Sequence, residues 1–119
     1  MKKLNLIFLL TALLSMVGTR AIAHDIEVAN DDGITIYYKW ANNQTELSVS
    51  YRGSASYSYN EYTGNVVIPE SVTYNGATYP VTTIGNSAFI GCSRLKSVTI
   101  PSSVTSIGNI ATKSRMERI

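Results

Sequence analysis

Few residues in this 119-residue chain are of a type that does chemistry, and they are scattered. His24 is the single histidine and Cys92 the single cysteine. A Ser-His-Asp or Cys-His nucleophile needs an imidazole at its side, so catalysis of that kind would require His24 to enter the fold. A ring and a free amino group at His24 would also suit copper, but a solvated terminus is the default expectation. Asn30-Asp31-Asp32-Gly33 is rich in acceptors. It lacks the alternating acidic ligands and the distal glutamate of a calcium loop, and reads as a turn. No HExxH, Walker loop or dinucleotide fingerprint is present. Asn43-Gln44-Thr45 satisfies the glycosylation sequon and is taken as a coincidence of spelling. Cys92 reads as a small buried hydrophobe rather than a reactive thiol. These residues predict no enzyme, no cofactor and no metal. The remaining candidates are Tyr57, Tyr59 and Tyr62, set among Ser, Gly and Asn. That mixture recurs in binding loops because tyrosine gives large contact area at low entropic cost, although aromatics are also ordinary strand formers.

The segments that would position these residues begin with a secretory signal over residues 1–23. Lys2 and Lys3 form its positive start, Leu4 to Val17 its apolar run, and Ala21-Ile22-Ala23 its cleavage site, before His24. The apolar run is too short for a span, which needs about 20 residues, so no membrane span is expected in the mature chain. Removing Lys2, Lys3 and Arg20 leaves seven Lys/Arg against eight Asp/Glu. That balance argues against nucleic acid, whose phosphates demand clustered positive charge. A secreted chain with one cysteine has no internal disulfide. Its stability must come from sheet hydrogen bonding, from stacked repeats or from further parts of a longer chain.

Residues 24–65 read as a β-rich N-terminal leader. Ile34, Ile36 and Tyr38 alternate with Thr35, Tyr37 and Lys39, and Leu47, Val49 and Tyr51 alternate again beyond a turn at Ala41-Asn42-Asn43-Gln44. The pattern predicts an antiparallel hairpin. All eight tyrosines fall between Tyr37 and Tyr79, which marks a compositional boundary. Val66-Val67-Ile68 predicts a short strand ended by Pro69. Asn75-Gly76 between β-formers predicts a tight hairpin, because both residues accept positive φ.

Residues 66–109 carry an internal repeat. Val81-Thr82-Thr83-Ile84-Gly85-Asn86 recurs as Val104-Thr105-Ser106-Ile107-Gly108-Asn109, 23 residues on. Val66-x-Ile68-Pro69-x-Ser71-Val72 recurs as Val98-x-Ile100-Pro101-x-Ser103-Val104 at a spacing of 32, and the excess of nine is the arm around Asn75-Gly76. A period of roughly 20–29 residues with recurring aliphatics marks a leucine-rich solenoid. The expected repeat core is Ile84, Ala88, Phe89, Cys92, Leu95, Val98, Ile100, Val104 and Ile107. Ser87 to Cys92 is expected to make a single helical or 3₁₀ turn, and Gly85 and Gly108 to permit tight bends. The fold class is therefore mainly β: an antiparallel hairpin region followed by a short solenoid segment.

The stretch Ile84-Gly85-x-x-Ala88-Phe89-x-x-Cys92-x-x-Leu95-x-x-Val98-x-Ile100-Pro101-x-x-Val104-x-x-Ile107-Gly108 resembles the repeat of the BspA-type, or Treponema-type, bacterial surface leucine-rich-repeat family. The likeness covers about 81–109 and, more loosely, 66–80. It implies a secreted, cell-surface or periplasmic protein whose repeats present a β-lined, adhesin-like face to extracellular-matrix or bacterial-surface proteins. It supplies no catalytic residues. A purely structural alternative is a leader that caps a longer array and binds nothing itself. Residues 110–119 depart from the pattern: at an offset of 23, Phe89, Cys92 and Leu95 become Thr112, Arg115 and Arg118, and only Ala88 keeps its type, as Ala111. They are read as a non-repeat tail, in a truncated or partial copy of a longer array.

Overall fold

In the computed structural model the described residues are 24–53, 62–109 and 115–118. The signal segment 1–23, Tyr57, Tyr59 and the first part of the tail lie outside them. The described residues hold nine strands and no helix: β1 (Ile26–Ala29), β2 (Thr35–Ala41), β3 (Glu46–Val49), β4 (Gly64–Val67), β5 (Ser71–Tyr74), β6 (Ala77–Ile84), β7 (Leu95–Ile100), β8 (Ser106–Ile107) and β9 (Arg115–Arg118).

The chain winds as a solenoid. Each pass contributes one strand to each of two parallel ladders: β3, β6 and β8 in one, β4, β7 and β9 in the other. Alternation sends Leu47 and Val49 inward from β3, a bulge at Thr82 lets both Val81 and Ile84 point inward from β6, and Val66, Val98 and Ile100 point inward from the second ladder; all are buried. The two sets meet in one core with Ala88, Phe89, Cys92, Leu95 and Val104. Each fully buried aliphatic or aromatic side chain contributes about 1.5–3 kcal/mol, and none of the coils can bury its inner face alone.

The N-terminal strands belong to the same body. β1 pairs antiparallel with β2, and β2 antiparallel with β3, with Trp40 opposite Leu47. This pair covers the open edge of the first coil. The turn between β2 and β3 places Asn42, Asn43 and Gln44 at positive φ, as turn residues that bond their own backbone tolerate. The predicted arm is also present: β5 and the first half of β6 form a hairpin closed by Asn75 (φ 50) and Gly76 (φ 83).

Four expectations need correction. Ser87 to Cys92, expected as a single helical or 3₁₀ turn, has the 3₁₀-type bonding but as a longer run of successive turns rather than one helical turn, with Ala88, Ile90, Cys92 and Leu95 each donating to the carbonyl three residues earlier. A turn does open at Gly85, but neither Gly85 nor Gly108 takes the positive φ for which a bend would demand glycine. A Cβ at Gly85 would sit 3.0 Å from the Val49 carbonyl oxygen, and one at Gly108 would collide with Asn86 Oδ1 and sit 2.8 Å from the Asn86 backbone nitrogen. The glycines are there because neighbouring coils approach too closely for a side chain. Ile107, expected in the core, is 41% exposed, because it lies on the outermost strand of its ladder with only Ile84 beneath it. Finally, the tail does not simply leave the repeat. β9 pairs parallel with β7, Val98 across from Met116 and Ile100 across from Arg118. The operative offset is 18 residues rather than 23. The Arg118 guanidinium also donates to the Val104 carbonyl.

Gly108→Ala is expected to cost about 1–3 kcal/mol, the usual penalty for overpacking. Gly53→Ala, with nothing within 4 Å of the added Cβ, should be near neutral. Thermal unfolding of the two variants side by side checks this.

Candidate binding surface

Tyrosine placement separates into an interior chain and a surface group. Tyr62 is fully buried, so it is no binding-loop residue. Its hydroxyl donates to the Ser50 carbonyl at 2.7 Å and accepts from the Tyr37 amide at 3.1 Å. A ring series runs from His24 to Tyr37 (centroids 4.9 Å apart), Tyr37 to Tyr62 (5.9 Å) and Tyr62 to Phe89 (5.1 Å). Such tilted and edge-on pairs stabilise beyond the area they bury. They tie the leader strands to the core of the second coil. His24 is not a solvated terminus either. Its side chain is 14% exposed, with Nδ1 2.8 Å from the Arg52 carbonyl and Nε2 3.8 Å from Glu27.

The surface group is one that sequence reasoning does not single out. Trp40 on β2, Tyr74 on β5 and Tyr79 on β6 converge, with Trp40 4.8 Å from Tyr79 and 6.3 Å from Tyr74. All three are half-buried and packed on the rim of the core. The Asp25 carboxylate fixes the β2 end by accepting the Trp40 amide at 2.9 Å. The available signal is indirect: Tyr74 and Tyr79 flank the Asn75-Gly76 turn, but only the fold brings Trp40 between them.

Beside this group, the outer face of the first ladder is polar. Ser48, Thr83 and Ser106 occupy successive register positions. Glu46 accepts from Thr82 Oγ1 at 2.8 Å and from Asn42 at 3.0 Å, and these bonds hold its carboxyl below the usual glutamate value. The second ladder shows the same habit, with Ser97 Oγ donating to Asn65 at 2.8 Å. The Asn30-Asp31-Asp32-Gly33 turn is structural. Asn30 Oδ1 accepts from the Asp32 and Ile34 amides, and its Nδ2 donates to the Val67 carbonyl at 3.0 Å. Among the described residues no group of three or more His, Cys, Asp or Glu is placed to hold a metal. Cys92 forms no disulfide and is buried. Among them, too, no helix is long and apolar enough to cross a membrane.

Residues 37–114 match the model of the BspA type leucine rich repeat region, a region of six copies. The chain belongs to this family. The matched span opens inside β2, so the BspA-type region takes in most of the stretch that the residue pattern sets apart as a leader. Solved structures agree. A leucine-rich repeat protein from Bacteroides ovatus is 31% identical, with a TM-score of 0.55 over 71% of this chain and 22% of its own. A leucine-rich repeat protein from Bacteroides capillosus is 25% identical, with a TM-score of 0.53 over 79% of this chain and 66% of its own. A leucine rich cell surface protein from Faecalibacterium prausnitzii shares the fold at 24% identity, with a TM-score of 0.50 over 71% of this chain and 20% of its own. The BspA-type chain thus spans about a fifth of two of these relatives and about two thirds of the other. No curated protein matches it.

Tyr62→Phe should destabilise by about 1–3 kcal/mol, since it removes both hydroxyl bonds and replaces them with nothing. Chemical denaturation measures the loss. Glu46 gives a pH-dependent companion. Because its folded pKa is lowered, its contribution is present above its ordinary value of 4.5 and fades as pH falls through the folded value. Glu46→Gln, which mimics the protonated carboxyl, should flatten that part of the acid unfolding profile by slightly lowering stability at neutral pH while leaving stability below the folded value nearly unchanged.

Proposed function

We propose that this chain is a secreted or cell-surface protein-interaction module of the adhesin-like kind, with no catalytic activity of its own. Two features support the reading: membership of a leucine-rich-repeat family whose structural neighbours include a protein described as a cell surface protein, and the character of the exposed faces. A surface that binds another protein gains most from a few rigid aromatic anchors set in a polar surround. Trp40, Tyr74 and Tyr79 supply the anchors, and the hydroxyl row along the first ladder and the Ser97–Asn65 pair on the second supply the surround. Matrix proteins and bacterial-surface proteins are the proposed partners. Tyr57 and Tyr59 lie outside the described residues and stay as additional candidates. The proposed location is the cell exterior, its surface or the periplasm, reached through the signal segment, which is cleaved before His24.

A second reading has an observation in its favour. β1 and β2 shield the first edge of β3, as a cap on a repeat array would. On this reading the chain begins an array and contacts no ligand. Adding further repeats after Asn109 would then raise stability and leave binding unchanged.

Immobilised mature chain, presented with a panel of matrix proteins and intact bacteria, should give saturable, concentration-dependent binding. Tyr74→Ala should weaken it about tenfold, the size of an interface anchor worth about 1.4 kcal/mol, with unfolding checked in parallel. A folded chain that binds nothing in the panel would remove the interaction reading in favour of the cap.

A further inference from the structure

Most strand edges among the described residues carry a guard against pairing with another chain. β1 bears the exposed carboxylate of Glu27. β9 is Arg-Met-Glu-Arg. On β4 the Val67 carbonyl is taken by Asn30. β6 places Pro80 just before its parallel pairing with β3 begins at Val81. Charges, proline and covered edges are the usual means of keeping sheets apart.

β5 has none of these. Its sequence is Ser-Val-Thr-Tyr, and it ends the order of its sheet. The phase of its pairing with β6 fixes which backbone groups are free. The Val81 amide donates to the Glu70 carbonyl at 2.9 Å, and antiparallel ladders alternate bonded and non-bonded pairs. Counting from Glu70 opposite Val81, the bonded pairs are Val72 with Tyr79 and Tyr74 with Ala77. Ser71 and Thr73 therefore turn their N–H and C=O groups away from β6, along the open edge. The same phase turns Pro80 outward on the far side of β6, where its missing N–H is no loss.

We infer that this edge pairs with the same edge of a second copy, antiparallel about a two-fold axis at Val72. In that register Ser71 of one copy lies across from Thr73 of the other, twice over. Each such pair exchanges both of its N–H···O bonds, so every outward group of Ser71 and Thr73 is satisfied by an identical strand. This is the self-complementarity that an isologous contact requires. No like charges meet: the only charged neighbour, Glu70, falls opposite Tyr74 of the other copy. β1 and β9 are poorer self-partners, because an antiparallel pairing centred on Glu27 or within Arg-Met-Glu-Arg brings charged side chains together, and β8 is only two residues long. The contact is short and falls below the standard interface size of about 1,200 Å². It forms at high local concentration and not in dilute solution.

Sedimentation equilibrium of the mature chain from micromolar to millimolar tests the pairing. The weight-average mass should climb toward twice the monomer mass. Thr73→Ala should behave the same. Thr73→Pro removes an outward N–H without taking a bond from the hairpin, and should stay monomeric. A wild type that remains monomeric at millimolar concentration would overturn the inference, as would a Thr73→Pro chain that dimerises equally well. Should Thr73→Pro fail to fold, hydrogen exchange at the wild-type Ser71 and Thr73 amides decides between the same two outcomes. Exchange slowed at least tenfold by concentration supports the pairing, and exchange independent of concentration refutes it.

Discussion

The whole molecule rests on one constraint: a coil's apolar face stays dry only while another coil, or a substitute for one, lies against it. Val49, Ile84 and Ile107 form a column across β3, β6 and β8. The first two are fully buried and the third is not. Position in the stack decides exposure, because all three side chains have the same inward register. At the opposite end the substitute for a coil is the β1–β2 pair, which closes β3 from the side by antiparallel bonding. At β9 the Arg118 guanidinium takes up the Val104 carbonyl. Packing along the stack and satisfaction of backbone groups at its ends are two aspects of one requirement.

Much of this is legible in the amino-acid pattern, for physical reasons that can be named. Asn75-Gly76 announces its turn because few residue pairs accept two consecutive positive φ values. The 23-residue recurrence of Val81 and Ile84 as Val104 and Ile107 becomes the observed β6–β8 register. Phe89 and Cys92 can be assigned to the interior because the repeat leaves them no other role. What the pattern misses depends on neighbours distant in sequence. Tyr62 looks like a loop aromatic until the strands carrying Tyr37 and Ser50 close around its hydroxyl. His24 looks like a loose terminus until Tyr37 and the Arg52 carbonyl receive it. The Trp40 group needs three strands to exist at all. The recurrence of glycine at 108 is visible in the sequence, but its cause is not, since only the stacked coils reveal that Asn86 occupies the space.

Function follows the same division. The interior is specified by repeat spacing and carries the family membership. The exterior is specified by what each coil leaves over: hydroxyls, carboxamides and a small aromatic group at the base of the arm. The proposed role in recognition would draw on shape and hydrogen-bonding pattern.

The unequal spacings have a wider consequence. Matching rungs are 35 and then 23 residues apart along β3, β6 and β8, and 32 and then 18 apart along β4, β7 and β9. The rungs hold their alignment while the segments joining them lengthen or shrink by half. Corners are therefore the places where such a protein can change without cost to its spine: a loop grafted there, like the β5–β6 arm, alters what the outside world meets and leaves the architecture intact.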